Sequence, residues 1–214
     1  MPSKRRSRAA SACPLITVAA LATVSLVGCA TNAPGADAAD PGAIAERANV
    51  VGIAPDLVYT TEVDGYELQA QSVGPSAGAG ISGTWFNYST GTMLTIRTDR
   101  GEYTAAACEA TPLWDASDLA VTCTEEEDGI WHRQGGAIHE YVAVRDEALI
   151  LVTGMHNAPR DDLRTAARAV HVPSEAELQL LFSDLPTEAP QPVERGDLPE
   201  NGDGAPVDPV GPGG

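Results

Sequence analysis

A mostly apolar run of 13 residues, Leu15 to Val27, lies near the start of the chain behind the basic cluster Lys4-Arg5-Arg6-Ser7-Arg8. Its length restricts what the rest can become. A helix crossing a bilayer core needs about 20 apolar residues, whereas the apolar core of a secretory leader runs to about 7–15. The run therefore predicts export followed by removal of the leader, so the fold must be built from the residues that follow. Flanking Ala and Gly lengthen the uncharged stretch, which leaves an uncleaved membrane anchor as the competing expectation.

The run ends in Leu26-Val27-Gly28-Cys29. This tetrapeptide, placed where a leader would be cut, resembles the lipobox of bacterial lipoproteins; the resemblance covers the leader and is silent on the mature fold. It implies a signal peptide over 1–28, cleavage between Gly28 and Cys29, and a diacylglyceryl group on the Cys29 thiol. Membrane lipid then becomes the first expected partner, on the extracytoplasmic face of the cell membrane. Each buried methylene contributes about 0.8 kcal/mol, so two acyl chains hold stably where one holds only marginally. Arg5-Arg6 invites a twin-arginine reading, but Lys4 precedes the pair and no Phe-Leu follows, which favours the general secretion route.

The formal charge is −17, from 13 bases and 30 acids. Four of the bases lie in the leader and none of the acids does, so the exported product stands at −21. Such a body repels phosphates instead of releasing their counterions, which argues against a nucleic-acid partner. Residues 29–49, rich in Ala, Asp, Pro and Gly, read as the lipidated cysteine and a flexible tether, with a short helical turn conceivable over Ala43 to Ala48. Residues 186–214 read as an acidic, Pro/Gly-rich disordered tail. Between them, 50–185 read as one β-rich domain.

Within that domain, short strand patterns recur between turn residues. Candidates are Leu57–Thr61, Tyr66–Val73, Gly83–Ser89 and Thr92–Thr98, with Leu94 and Ile96 on one face. Leu119, Val121 and Cys123 share a face by parity, and Glu125–Gly129 reads as a solvated turn into Ile130–Gln134. The clearest hairpin joins Ile138–Val144 to Ala148–Thr153, whose unbroken apolar run suits a central strand covered on both faces. Two helices follow. One starts near Pro159 with a stripe of Leu163, Ala166, Ala167 and Val170; the other starts at Ser174, with Glu177 completing a capping-box pattern ahead of Leu178, Leu180 and Leu181. Strands first and helices last give the expected class: α+β, a small antiparallel sheet with two C-terminal helices packed on one face, flanked by disordered segments.

Cys108 and Cys123 are the only cysteines left once Cys13 is removed and Cys29 lipidated. Outside the cytoplasm such a pair is usually oxidised, so a disulfide is expected, the competing reading being two separate buried thiols. The spacing is not that of a CxxC redox site.

Chemistry is sparsely signalled. His132 and His139 flank Gly135-Gly136 and could meet across a bend near Glu140, while His156 and His171 stand apart. Zinc needs three or four convergent ligands, and the spacing supplies no HExxH or Cys/His cluster; no metal or cofactor is expected. Gly80-Ile81-Ser82-Gly83 lacks the spacing of a nucleophile elbow, and no catalytic residue is assigned. The Glu125–Asp128 run could hold calcium but reads first as a hairpin tip. Asn201-Gly202-Asp203-Gly204 fails as an EF-hand loop, since Pro199 and Val210 would fall at ligand positions. Arg195-Gly196-Asp197 and the sequon at Asn87 read as coincidences of composition. Aromatic residues are expected in the core first, with Trp85, Trp114 and Trp131 as possible ligand-face residues.

The functional expectation is a membrane-anchored extracytoplasmic lipoprotein, a non-enzymatic binding or accessory module of the bacterial envelope with an envelope protein as possible partner. The alternative is an envelope hydrolase or metal-dependent enzyme using His132, His139 and nearby acids.

Overall fold

The computed structural model describes residues 37–114, 116–127 and 129–189. The leader with its Leu26–Cys29 motif, and most of the C-terminal segment with its Arg-Gly-Asp tripeptide, lie outside the described residues.

Eleven elements follow one another: helix α1 (Pro41–Val50), strands β1 (Glu67–Pro75), β2 (Ile81–Phe86) and β3 (Met93–Arg100), helix α2 (Ala105–Ala110), strands β4 (Thr122–Glu127), β5 (Ile130–Gly135), β6 (Ile138–Arg145) and β7 (Ala148–Met155), and helices α3 (Arg160–Arg168) and α4 (Glu175–Leu181). The strands form one antiparallel sheet in the order β1-β2-β3-β7-β6-β5-β4. The class is α+β, but a seven-stranded sheet is larger than the small one expected. The apolar run Ala148–Val152 lies at its centre. β7 pairs with β3 on one side and β6 on the other; Ala148, Ile150 and Val152 are buried, while Leu149 and Leu151 on its other face are half-buried.

Register sorts the residues into two faces. One carries a row Ile96, Val152, Tyr141 and His132, each the cross-strand partner of the next. With Leu94, Ile150, Ala143 and Trp85 these side chains make the main core, which Leu163, Ala166 and Ala167 of α3 cover. A second cluster joins Ile44 and Ala48 of α1, Val73 and Ile81 at the β1 edge, and Leu178, Leu181 and Phe182 around α4. Leu180, grouped with them in the sequence, points outward at 49% exposure.

Over β5 and β6 the opposite face is covered by the excursion between β3 and β4, tied down by the Cys108–Cys123 disulfide (Cα–Cα 6.2 Å). Its Leu113 and Leu119 lie against Gly135, whose missing Cβ leaves room for them.

Several expectations are corrected. Leu57–Thr61 is not a strand: Pro55–Leu57 is a 3-10 turn, and only Thr60 makes a ladder bridge, to His171. All five residues are buried, because the segment threads between the sheet and the C-terminal helices instead of lying half-exposed on an edge. Thr98 Oγ donates to the Leu57 carbonyl (2.8 Å), and Thr61 Oγ donates to that of Ala166 (2.7 Å). Part of the presumed tether is α1, capped by the Asp40 carboxylate, which accepts from Gly42 N (2.8 Å) and Ala43 N (3.3 Å). Its Ile44 and Ala48, four residues apart, are buried, and Ala38 bridges Ser174. Leu119 and Val121 precede β4, and Leu119 is 40% exposed. The glutamates read as a turn are strand residues through Glu127.

Candidate functional site

Cross-strand pairing of β5 with β6 places Tyr141 beside His132 and His139 beside Gln134, so both histidines and the tyrosine leave the sheet on the helix-covered face. His132 is 7% exposed. Its Nε2 lies 3.0 Å from His139 Nδ1, with the ring planes 21° apart and the centroids separated by 5.2 Å. Facing nitrogens so much closer than the centroids mean that the rings meet edge to edge, in an N–H···N bond. The expected approach of the two histidines across the Gly135-Gly136 bend is therefore observed. Glu140 does not join them; it projects from the other face.

The acid that does join them is Glu126, which sequence reading had consigned to a solvated tip. Thr124 is the cross-strand partner of His132, and Glu126, two residues further along β4, points to the same face by alternation. It accepts from Tyr141 Oη (3.3 and 3.4 Å) and from Arg160, whose Nε also donates to Tyr141 Oη (3.0 Å). Arg164 Nε stands 2.8 Å from its other oxygen. Burial works to raise the Glu126 carboxyl, but the Arg160 hydrogen bond and the charges of Arg164 and Arg160 outweigh it and hold the group below its usual range. His132 Nδ1 is 3.9 Å from Glu126 Oε1, too far for a hydrogen bond. A histidine activating water or a hydroxyl needs its acid or hydroxyl at about 2.6–3.2 Å, and here the carboxylate is already committed to two guanidiniums.

His171 comes closer to that geometry. Its Nε2 is 2.9 Å from Glu177 Oε1, and Ser174 Oγ is 2.6 Å from Glu177 Oε2. Serine, histidine and acid are all present, but in the wrong order: a triad needs the histidine in the middle, touching the serine, and here the carboxylate is in the middle. His171 Nδ1 donates to the Ala169 carbonyl (2.7 Å), so both ring nitrogens face acceptors and neither is available as a base. The group is the α4 capping box, with Ser174 N donating to Glu177 (2.8 Å).

Beside it are two adjoining grooves that share Glu62. One, of about 390 Å³, is lined by Val63, Asp64, Asp162, Thr165 and His171 among others. The second, of about 450 Å³, is lined by Thr60, Tyr66, Glu67, Trp85, Glu177 and Leu180 among others. Both fall near the small end of ligand-pocket sizes, and their carboxylate rims disfavour anionic occupants.

On the far face, Arg133 and Glu140 form a buried ion pair (2.8 Å; side chains 1% and 2% exposed). Arg133 also donates to the carbonyls of Thr111 and Pro112, and Glu140 accepts from Trp114 N (2.7 Å). Trp114, 60% exposed, covers the Arg97 guanidinium at 3.6 Å. Trp131 meets Tyr103 edge-on, and burial pushes the Tyr103 hydroxyl up to about 12. These contacts tie the excursion to the sheet. Trp85, by contrast, is a core residue at 4% exposure.

Among the described residues, no group of three or more His, Cys, Asp or Glu is arranged to hold a metal ion, and no helix is long and apolar enough to cross a membrane. Gly80, considered above as part of an elbow, is a packing glycine: a Cβ there would overlap the Thr98 carbonyl. Compared with protein-family models, curated proteins and solved structures, the chain matches none.

Proposed function

We propose that this chain is a lipid-anchored, extracytoplasmic module that binds an envelope partner or a small ligand and performs no chemistry on it. The reading starts from Leu26-Val27-Gly28-Cys29 behind a basic and apolar leader. The structural observation that supports it best is the bonded Cys108–Cys123 pair, since disulfides persist in oxidising compartments and are rare in the cytosol. Two acyl chains on Cys29 would retain the body at the membrane. The same reading sets both C-terminal helices on one face of the sheet, supported by Leu68, which packs against both apolar clusters.

The binding reading is preferred to the enzymatic one because the His132 and His171 environments are closed by structural partners: Glu126 by two arginines, His171 by a carbonyl. The decisive experiment replaces Cys29→Ser in the native host and follows metabolic palmitate labelling, precursor cleavage and cell fractionation. Labelling should vanish and uncleaved precursor should accumulate, held at the membrane only by its own apolar leader. Unchanged labelling and processing would overturn the proposal.

A further inference from the structure

The N–H···N bond between His132 and His139 restricts how many protons the two rings can hold together. With the pair uncharged, one nitrogen donates and the other accepts. A first added proton leaves that bond intact, because an imidazolium still donates to a neutral imidazole. A second added proton puts a hydrogen on both facing nitrogens, 3.0 Å apart, and the contact becomes a repulsion between two cations. Two interacting sites of this kind titrate in two macroscopic steps that belong to the pair.

The surroundings sharpen the second step. From β4 the pair faces Glu126, from β6 Tyr141, and from α3 Arg160 and Arg164. The only carboxylate among these groups is Glu126, and its Oε1 already accepts from Arg160 Nη2 while lying 3.9 Å from His132 Nδ1. A cationic His132 therefore competes with Arg160 for one oxygen atom. Arg160 opens α3 and also donates to Tyr141 Oη, whose ring centre is 4.9 Å from that of His132. Burial first, then the Arg160 charge, hold His132 below its ordinary range; Glu126 pulls the other way and His139 adds to the lowering.

We propose that the His132–His139 pair is an acid-sensitive latch: it tolerates one added proton, and the second frees the first turn of α3 from the sheet by displacing Arg160 from Glu126. The test is amide hydrogen exchange on the disulfide-bonded protein in steps from about pH 7.5 down to about pH 4, since the second proton binds below the ordinary histidine range, with the histidine variant over the same steps separating it from carboxylates that titrate there. After correction for intrinsic rates, protection at Leu163, Ala166 and Ala167 should fall about tenfold by the lowest step, the factor corresponding to one unit of pKa difference. Protection at Leu178 and Leu181 in α4 should hold. In His132→Gln, whose amide still donates to His139 but does not titrate, the α3 loss should disappear. Should that variant not fold, His139→Gln at the more exposed ring gives the same readout. Persistence of the α3 loss in the folded variant, or equal losses in α3 and α4 of the unmodified protein, would overturn the latch.

Discussion

The two faces of the sheet reach burial by opposite means. On one, the row Ile96–Val152–Tyr141–His132 is apolar over its first three members and meets a helix stripe of Leu163, Ala166 and Ala167. On the other, the row Thr84–Thr95–Thr153–Glu140–Arg133–Cys123 crosses six strands with hardly a hydrocarbon in it. The first face is held by area removed from water, which any well-shaped apolar cover could supply. Along that row burial depends on particular partners: a charge for a charge, a carbonyl for a guanidinium, a thiol for a thiol. The neighbouring row adds the apolar Leu151, Val142 and Trp131. Apolar burial degrades gradually when trimmed, whereas a buried ion becomes a liability once its counter-ion is lost.

That contrast gives an ordered set of expectations. Arg133→Met should be the most damaging, at about 3–5 kcal/mol, because the buried Glu140 loses its counter-ion. Adding Glu140→Leu should restore much of the loss in urea melts; a double variant no better than the single one would mean that the Thr111 and Pro112 carbonyls matter more than the pair. Leu163→Ala on the apolar face should cost about 3 kcal/mol, within the usual range for a buried leucine. Removing the disulfide through Cys108→Ser with Cys123→Ser should cost about 3 kcal/mol in the chain-entropy model for a loop of this length. Its signature is regional: exchange should quicken over 101–121 while α3 keeps its protection. Ser174→Ala at the capping box should cost about 1 kcal/mol.

The smallest effect should appear in acid. Glu126 and Glu177 titrate below their ordinary value of 4.5 in the folded chain. For Glu177, burial raises the carboxyl, but the hydrogen bonds from Ser174 and the nearby His171 more than reverse that. The unfolded chain thus binds these protons first, so their stabilisation is complete above about pH 4.5 and drains away as the pH falls through it. Glu177→Gln should flatten that part of the stability profile, and a profile left unchanged would remove this residue from the account.

Periodicity explains which parts were legible in advance. The α3 stripe, the Ser174 capping box, the β6–β7 hairpin and the partnership of Cys108 with Cys123 all depend on residues close in sequence or on elimination among a few cysteines. Leu57–Thr61 misled because its consecutive apolar and β-branched residues fit a strand, and only long-range contacts with Thr98, His171 and Ala166 reveal a buried thread. Helix α1 was half legible: within a composition of Ala, Asp, Pro and Gly only the turn over Ala43 to Ala48 was expected, although Asp40 and Pro41 stand where a cap and a first-turn proline belong. Of the candidate site, the His132–His139 contact was visible from the hairpin spacing. The role of Glu126 was not, because a run of four acids reads as a solvated tip and its arginines lie in α3, some 34 residues away. Arg133–Glu140 was missed for a related reason: charged residues within a strand pattern usually mark its solvent side, and nothing local announces a lid.

The bridge from Ala38 to Ser174, with Ala39 N donating to the Pro173 carbonyl (2.9 Å), brings the two ends of the domain together. Among the described residues, helix α1 is the first element synthesised, and α4, which packs into the same apolar cluster, is the last. While the ribosome is still making the final helix, the first has nothing to dock on, and the β1 edge beside it is likewise exposed. Completion of this fold thus waits on α4, and until α4 is made the growing polypeptide stays pliable at both of these edges.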